Sequence, residues 1–290
     1  MRCSVILPAA GVGKRFQAPV SGDAFANQLM EQPKGVSKVE LDLAGKPAFL
    51  RAIELFIQRP KQIGQIILAV NPDVIDAFKF RWSDKLAFHH VKLIAGGKTE
   101  RWETVANALE VVDEDATHIA VHDAARPLAT SKLIDRLLEA ALQFDAVVPG
   151  LAVADTLKRV QAEPSVAGDV DPLDDLFGDE GKLDTTARQV VDAVSRENVV
   201  AIQTPQVFSE ALLRKAYQQI ADGVLDPANI TDDAGLVEAL GQPVQVIDGE
   251  VTNLKITRAE DAEFAAAVVQ SRDRKDSSRM AKKRLFGDDD

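Results

Sequence analysis

The sequence predicts an α/β fold: a mostly parallel sheet with helices on both faces and a β-arm inserted into it. Three observations carry that prediction. Short apolar runs rich in branched side chains alternate with helical periodicity through about residue 145. Glycine-rich or polar turns follow several of those runs at their carboxyl ends. The alternation then breaks after Ala146, where two strand-like runs follow each other with no helix between.

The first run, CSVIL at residues 3–7, has the length and branching of a buried strand. It opens into PAAGVGKRF, residues 8–16. Gly11 and Gly13 let the backbone turn tightly and approach a ligand, while Lys14 and Arg15 bring two cations to a loop rich in N–H donors. That suits a polyanion, most simply a nucleoside triphosphate; the competing reading is a merely structural turn. The nearest named fingerprints do not fit. A dinucleotide loop needs a third glycine where Phe16 stands, and the Gly-Lys-Ser/Thr ending of a P-loop is missing.

After a long polar loop, KVELDL at residues 38–43 alternates apolar with polar, which predicts a short half-buried strand closed by a turn at Gly45. A helix is expected from about Ala48, with Phe49, Ile53, Phe56 and Ile57 on one face. Residues 65–70 read as a buried strand, and Asn71-Pro72-Asp73 as the cap of the next helix. A strand at 91–94 runs into Gly96-Gly97, and residues 100–112 read as a helix burying Val105, Leu109 and Val112. HIAV, residues 118–121, is the next strand and ends in HDAARP, residues 122–127. Thr130-Ser131 then starts a helix carrying Leu133, Ile134, Leu137 and Leu138. In such sheets ligands sit outside the carboxyl ends of the strands. The loops at 8–16, 96–97 and 122–127 each follow a strand, so all three are expected to line one crevice.

Residues 146–160 look like two consecutive strands, and strand character resumes at 188–194 and 199–203. Between them lies an acidic stretch, 161–187, read as an exposed loop whose acids fit no calcium-loop spacing. An excursion of this kind, about 153–200, is a natural dimerisation arm. Residues 210–221 read as a helix. Thr231 is expected to cap another, with Asp232 and Asp233 in its first turn. A strand at 244–247 and a last helix from 259 to about 270 complete a domain of residues 1–270. Residues 271–290 are read as a disordered, dispensable tail.

With 290 residues, 46% of them hydrophobic and 27% charged, the chain has the composition of a soluble globular protein. A net charge of −11 argues against a sequence-independent nucleic-acid binder. The single cysteine, Cys3, leaves no internal disulfide, no Cys/His cluster has zinc spacing, and no apolar run reaches membrane-spanning length. The chain enters its first strand directly after Met1-Arg2, so the expectation is a cytoplasmic protein with no membrane or nucleic-acid partner.

Seven separated motifs can be read together in one order: PAAGVGKRF (8–16), SKVELDLAGKP (37–47), HDAARP (122–127), ADTLKR (154–159), QTPQVF (203–208), ITDDA (230–234) and NLKIT (253–257). The series resembles the 2-C-methyl-D-erythritol 4-phosphate cytidylyltransferases of the non-mevalonate route to isoprenoids, over about residues 5–270. The resemblance implies a Rossmann-like nucleotidyltransferase fold of the GT-A kind, with CTP and a sugar-alcohol phosphate as substrates. It also implies Mg²⁺ or another divalent cation, and a homodimer formed through the inserted arm. Such enzymes join a sugar-phosphate oxygen to the α-phosphorus of CTP and expel pyrophosphate. The chemical problem is negative charge, met by fixed cations and a metal. A phosphate monoester is already an anionic nucleophile, so no side-chain base is required.

By that resemblance Arg15 and Lys38 are the phosphate-stabilising cations, Lys38 having better spacing from the turn at Gly45 than Lys34, and Lys255 joins them in catalysis. Lys14 either adds to the triphosphate site or is a surface cation. Asp123, with Ala124 beside it, is placed near the nucleotide and the metal. Pro8, Ala9, Ala10, Gly11 and Gly13 offer backbone groups to cytosine and ribose, with Gly96, Gly97 and Thr104 on the other side of the base. Arg126, Thr156, Arg196, Thr204, Thr231 and Lys255 meet the sugar phosphate, Thr156 and Arg196 from across a dimer. The chain departs from the family pattern twice: GGKTERWET carries an extra residue before Thr104, and the stretch between Arg159 and Arg196 is long.

Other readings stand beside this one. Cytidylyltransferases for ribitol 5-phosphate share HDAARP and TPQ and change only the acceptor. A nicotinamide-dependent oxidoreductase would need the absent third glycine and an acid closing a second strand. A nucleotide-binding regulator without catalysis is opposed by Arg15, Lys38, Asp123 and Lys255 occurring together.

Overall fold

The structure is a computed structural model that describes residues 1–11, 37–162 and 187–286. Among these residues the chain forms two compact units, Met1–Leu151 with Ile202–Asp290, and Ala152–Ala201. Strands β1 (Cys3–Ala9), β2 (Ile63–Val70), β3 (Val91–Ala95), β4 (His118–Val121) and β5 (Ala146–Ala152) alternate with helices α1 (Ala48–Ile57), α2 (Ile75–Phe88), α3 (Arg101–Leu109) and α4 (Ser131–Ala140). Then come β6 (Leu157–Val160), β7 (Val190–Val194), β8 (Val200–Ile202) and β9 (Gln206–Ser209). Helices α5 (Glu210–Ala221) and α6 (Asp233–Ala239), strand β10 (Gln245–Asp248) and helix α7 (Ala259–Phe286) complete the chain.

The main sheet runs β3-β2-β1-β4-β9-β5-β10. β1 pairs in parallel with β2 and β4, β2 with β3, and β5 with β10. Period-two alternation along β1 sends Cys3, Val5, Leu7 and Ala9 into one core layer, shared with Phe49 and Phe56 of α1 and Leu133 of α4. Ile6 faces the other layer, with Val105 of α3, Leu213 of α5 and Val237 of α6. Both faces of β1 are therefore covered, which is why its sequence is continuously apolar. Helix α4 starts where Thr130 Oγ1 accepts from Leu133 N at 3.2 Å, and it buries Leu133, Ile134, Leu137 and Leu138. Each of those four side chains contributes roughly 1.5–3 kcal/mol by burial. A charge at Leu133 would break this face.

Four expectations need correction. Residues 38–43 do not form a strand. Lys38–Glu40 is a single 3₁₀ turn, with Glu40 N bonded to Ser37 O at 2.8 Å, followed by one isolated bridge between Asp42 and Pro47. Val39, Leu41 and Leu43 are buried as the alternation implies, but Glu40 between them is buried too, and among the described residues no strand pairs with this segment. β9 was not anticipated; it lies antiparallel between β4 and β5. Helix α6 is capped by Asp232, whose Oδ1 accepts from Gly235 N at 3.0 Å, and not by Thr231. The last helix does not stop near residue 270 but runs to Phe286, and Arg272 Nη2 donates to Leu128 O at 3.0 Å and Thr252 Oγ1 at 2.9 Å. The second unit is described by the antiparallel ribbon β6–β7, pairing Leu157 with Val194 and Val160 with Val190. Nearly all of the acidic stretch 161–187 lies outside the described residues.

Candidate active site

Carboxyl ends of three parallel strands meet at one cavity of about 680 Å³. Pro8, Ala9, Ala10 and Gly11 line it from the end of β1, Gly97 after β3, and Asp123 after β4, with Lys38 and Thr104 on its walls. A second cavity of about 450 Å³ is lined by Arg126, Thr204, Gln206 and Val246, among others. Arg101, Asp123, Thr231, Asp232 and Lys255 line both and so form a common wall.

Asp123 is the hub of that wall. Lys255 Nζ lies 2.8 Å from its Oδ2, Arg126 Nε 3.5 Å from the same oxygen, and Arg101 Nε 3.5 Å from Oδ1. Burial pushes this carboxyl up, but Arg101, Lys255 and Arg126 together outweigh it and hold Asp123 well below the usual carboxylate range. Arg101 also reaches Asp233, Nη1 to Oδ2 at 2.7 Å, and the fully buried Asp233 accepts from Tyr217 OH at 2.6 Å. Burial, and then the negative Asp233, push the Tyr217 phenol well above its ordinary value, so it stays a donor. The buried Nη2 of Arg101 and Nε of Arg126 have no hydrogen-bond partner among the described residues, which leaves two guanidinium donors beside Asp123 for a ligand.

A second network holds the loop after β4. Asp123 N donates to Thr204 Oγ1 at 3.0 Å, so the Thr204 hydroxyl is free to donate to His122 Nδ1, also at 3.0 Å. His122 Nε2 then carries the proton and donates to Arg126 O at 3.0 Å. Burial pushes the imidazolium down to about 4, which keeps this tautomer neutral. Asn253 Nδ2 donates to Thr204 O at 2.8 Å, and the backbone carbonyl of Asn253 accepts from Arg126 Nη1 at 2.7 Å. Ile256 N bonds to Ala125 O at 2.9 Å, so the segment carrying Lys255 is stitched to the loop carrying Asp123 and Arg126.

The glycines after β3 have a steric reason. A Cβ on Gly96 would lie 2.8 Å from both Ala10 Cβ and Thr104 Cγ2, and one on Gly97 would lie 2.3 Å from Glu103 Cβ. Thr104 Oγ1 accepts from Gly97 N at 3.0 Å, and Glu103 accepts from Thr99 N and Glu100 N, closing the turn onto α3.

Of the residues singled out from the sequence, the structure brings together Pro8, Ala9, Ala10, Gly11, Lys38, Gly96, Gly97, Thr104, Asp123, Arg126, Thr204, Thr231 and Lys255. Ala124 is a correction: the turn closed by Arg126 N and Asp123 O buries it fully in the core, and Ala125 takes its place in the lining. Gly13, Lys14 and Arg15 lie outside the described residues. Thr156 and Arg196 belong to the second unit, where both are exposed and Arg196 donates to Ala154 O. Sequence reasoning placed Arg101 only loosely, beside Thr104 in the extra-length GGKTERWET segment, and gave no role to Tyr217 or to Asn253. Of the latter two, only Asn253 stood in a motif, NLKIT.

A mostly parallel α/β sheet whose strand ends cradle two adjoining cavities, with cations around one carboxylate in the wall they share, suits a nucleotidyltransferase, which must hold two anionic substrates side by side. The family model IspD, 2-C-methyl-D-erythritol 4-phosphate cytidylyltransferase, matches residues 3–176 and 179–271. The chain belongs to that family. Curated proteins of that name from Frankia casuarinae and Acidobacterium capsulatum are each 34% identical to it, over 281 and 273 residues. These matches cover 97% and 94% of this chain, and 86% and 99% of those proteins. Among solved structures, the 2-C-methyl-D-erythritol 4-phosphate cytidylyltransferase of Thermus thermophilus superposes with a TM-score of 0.63 at 26% identity, covering 93% of this chain and all of that one. The 4-diphosphocytidyl-2C-methyl-D-erythritol synthase of Anaerococcus prevotii gives 0.64 at 25%, covering 92% and 98%.

Proposed function

We propose that this chain transfers the cytidylyl group of CTP to 2-C-methyl-D-erythritol 4-phosphate, giving 4-diphosphocytidyl-2-C-methyl-D-erythritol and pyrophosphate. The observation that carries the reading is the cation cluster on Asp123: Lys255 and Arg101 in the wall common to both cavities, with Arg126 from the smaller one. The larger cavity takes the nucleotide, with Pro8 to Gly11, Gly97 and Thr104 facing base and ribose. The smaller takes the acceptor, with Arg126, Thr204 and Thr231 facing its phosphate and hydroxyls. The two substrates then meet at the wall.

There an acceptor phosphate oxygen attacks the α-phosphorus, a new P–O bond forms, and the bond to the bridging oxygen breaks with its electron pair leaving on pyrophosphate. No proton moves in this step. Lys38, Lys255 and the unpartnered Nη2 of Arg101 stabilise the charge that spreads over the α-phosphate and the leaving group. Arg15 and Lys14, with Gly13, act on the triphosphate from the first loop. Asp123, whose oxygens meet Lys255, Arg126 and Arg101, would be the residue to hold Mg²⁺ or another divalent cation. A lone carboxylate suits an ion that takes its other ligands from phosphates and water, and no three acids, cysteines or histidines form a protein cage among the described residues. Such an ion supplies charge neutralisation at the phosphates. The second unit is the arm of a homodimer, and Thr156 and Arg196 reach the partner's acceptor.

No helix among the described residues is long and apolar enough to cross a membrane. Family membership favours methylerythritol phosphate over ribitol 5-phosphate. The test is pyrophosphate release by the purified full chain with CTP, Mg²⁺ and each acceptor in turn. Release with methylerythritol phosphate is expected. Faster release with ribitol 5-phosphate, or none with either, would overturn the reading.

A further inference from the structure

Next to Lys38, on the same 3₁₀ turn, stands a buried acid that the chemistry above does not use. The Glu40 side chain is only 2% exposed. Four donors saturate it: Arg81 Nε at 2.8 Å and Nη2 at 2.9 Å, Trp82 Nε1 at 2.7 Å, and Ser37 N at 2.9 Å. Arg81 and Trp82 both belong to α2, and that helix is itself fixed. Phe49 of α1 packs against Phe78 and Trp82 of α2 with ring centroids 5.1 and 5.2 Å apart.

A buried ion pair is seldom more stable than an apolar side chain of similar volume. The neighbours Val39 and Leu41 show that this turn can bury apolar groups. What the charged grip adds is direction, because a forked Arg–carboxylate pair fixes both distance and plane. Among the described residues the turn has no strand ladder to define it, its backbone being held by local bonds and the isolated Asp42–Pro47 bridge. Lys38, at its first position, lines the larger cavity together with Asp123 and Lys255.

We propose that Glu40 is a positioning residue: its grip by Arg81 and Trp82 anchors the turn that presents Lys38 to the phosphates of the nucleotide. The inference rests on Lys38 acting there. Its test is a double-mutant cycle on the full chain, combining Glu40→Gln with Lys38→Ala and reading kcat, KM for CTP and the thermal melt. In the wild-type background Glu40→Gln lowers kcat tenfold or more. In the Lys38→Ala background the same change lowers kcat less than twofold, since no lysine remains to be placed, while any loss of melting temperature is the same in both. A merely structural acid would give equal losses of kcat in the two backgrounds, and that outcome overturns the proposal, as does an unchanged kcat in Glu40→Gln. If Glu40→Gln fails to fold, Arg81→Lys keeps the charge, removes the fork and enters the same cycle. Lys38→Ala at wild-type activity would sink both the role of Lys38 and this inference. Equal losses with an impaired Lys38→Ala would sink the inference alone.

Discussion

Replacing Lys255 with alanine should separate catalysis from stability. The ammonium sits 2.8 Å from Asp123 Oδ2, and its side chain is 38% exposed. Without it Asp123 keeps Arg101 and Arg126, each at 3.5 Å, so no buried carboxylate is left unpaired. A partly solvated pair of this kind contributes up to about 1 kcal/mol. The melt should therefore fall by no more than about 3 °C for a chain of this size. The transition state is different, because charge develops where Lys255 lines both cavities. Loss of one pre-positioned group there costs about 2–4 kcal/mol, or roughly thirtyfold to a thousandfold in kcat. Continuous pyrophosphate detection at saturating CTP and acceptor, with a parallel melt, reads both quantities. Lys255→Met controls for the lost aliphatic stem. A kcat within threefold of wild type, with the melt unchanged, would refute the assignment.

Two further predictions follow from the same geometry. His122 titrates at about 4 in the folded chain against an ordinary 6.5, so between those values the unfolded chain binds more protons. Its contribution to stability is complete above about pH 6.5 and is lost as pH falls toward 4, roughly 2 kcal/mol of it between pH 7 and pH 5. His118 is shifted down as well, so the comparison must be with His122→Gln, whose melting temperature should drop about 4 °C less than wild type over that interval. An equal drop would remove His122 as the cause. Gly96→Ala places a methyl 2.8 Å from Ala10 Cβ and Thr104 Cγ2. It should cost about 1–3 kcal/mol of stability by melting and raise KM for CTP more than KM for the acceptor; a rise confined to the acceptor would misplace the nucleotide.

Much of this site was legible in the sequence because strand-to-helix alternation forces polar loops to one end of a parallel sheet. That rule alone placed Gly97 and Asp123 in one crevice with the end of β1. What stayed hidden depends on contacts between distant segments. Arg101 gains meaning only through Asp123 and Asp233, and Asp233 only through Tyr217, a residue sixteen positions earlier on another helix. The 3₁₀ turn at Lys38–Glu40 was mistaken for a strand because apolar-polar alternation implies an exposed Glu40, whereas Arg81 and Trp82, about forty positions away in sequence, let that acid be buried between Val39 and Leu41. β9 escaped notice because four residues after a Thr-Pro step are too few to show a period.

The hydrogen bond from Gln203 N to Pro149 O, 2.7 Å long, closes the first unit just where the chain leaves it and comes back. Pro149 and Gln203 are neighbours whatever happens between them, so the scaffold does not depend on the length of the excursion. Doubling a flexible closure costs only about 0.6 kcal/mol. Residues could therefore be added to that segment, away from Thr156 and Arg196, at little cost to the closure of the first unit.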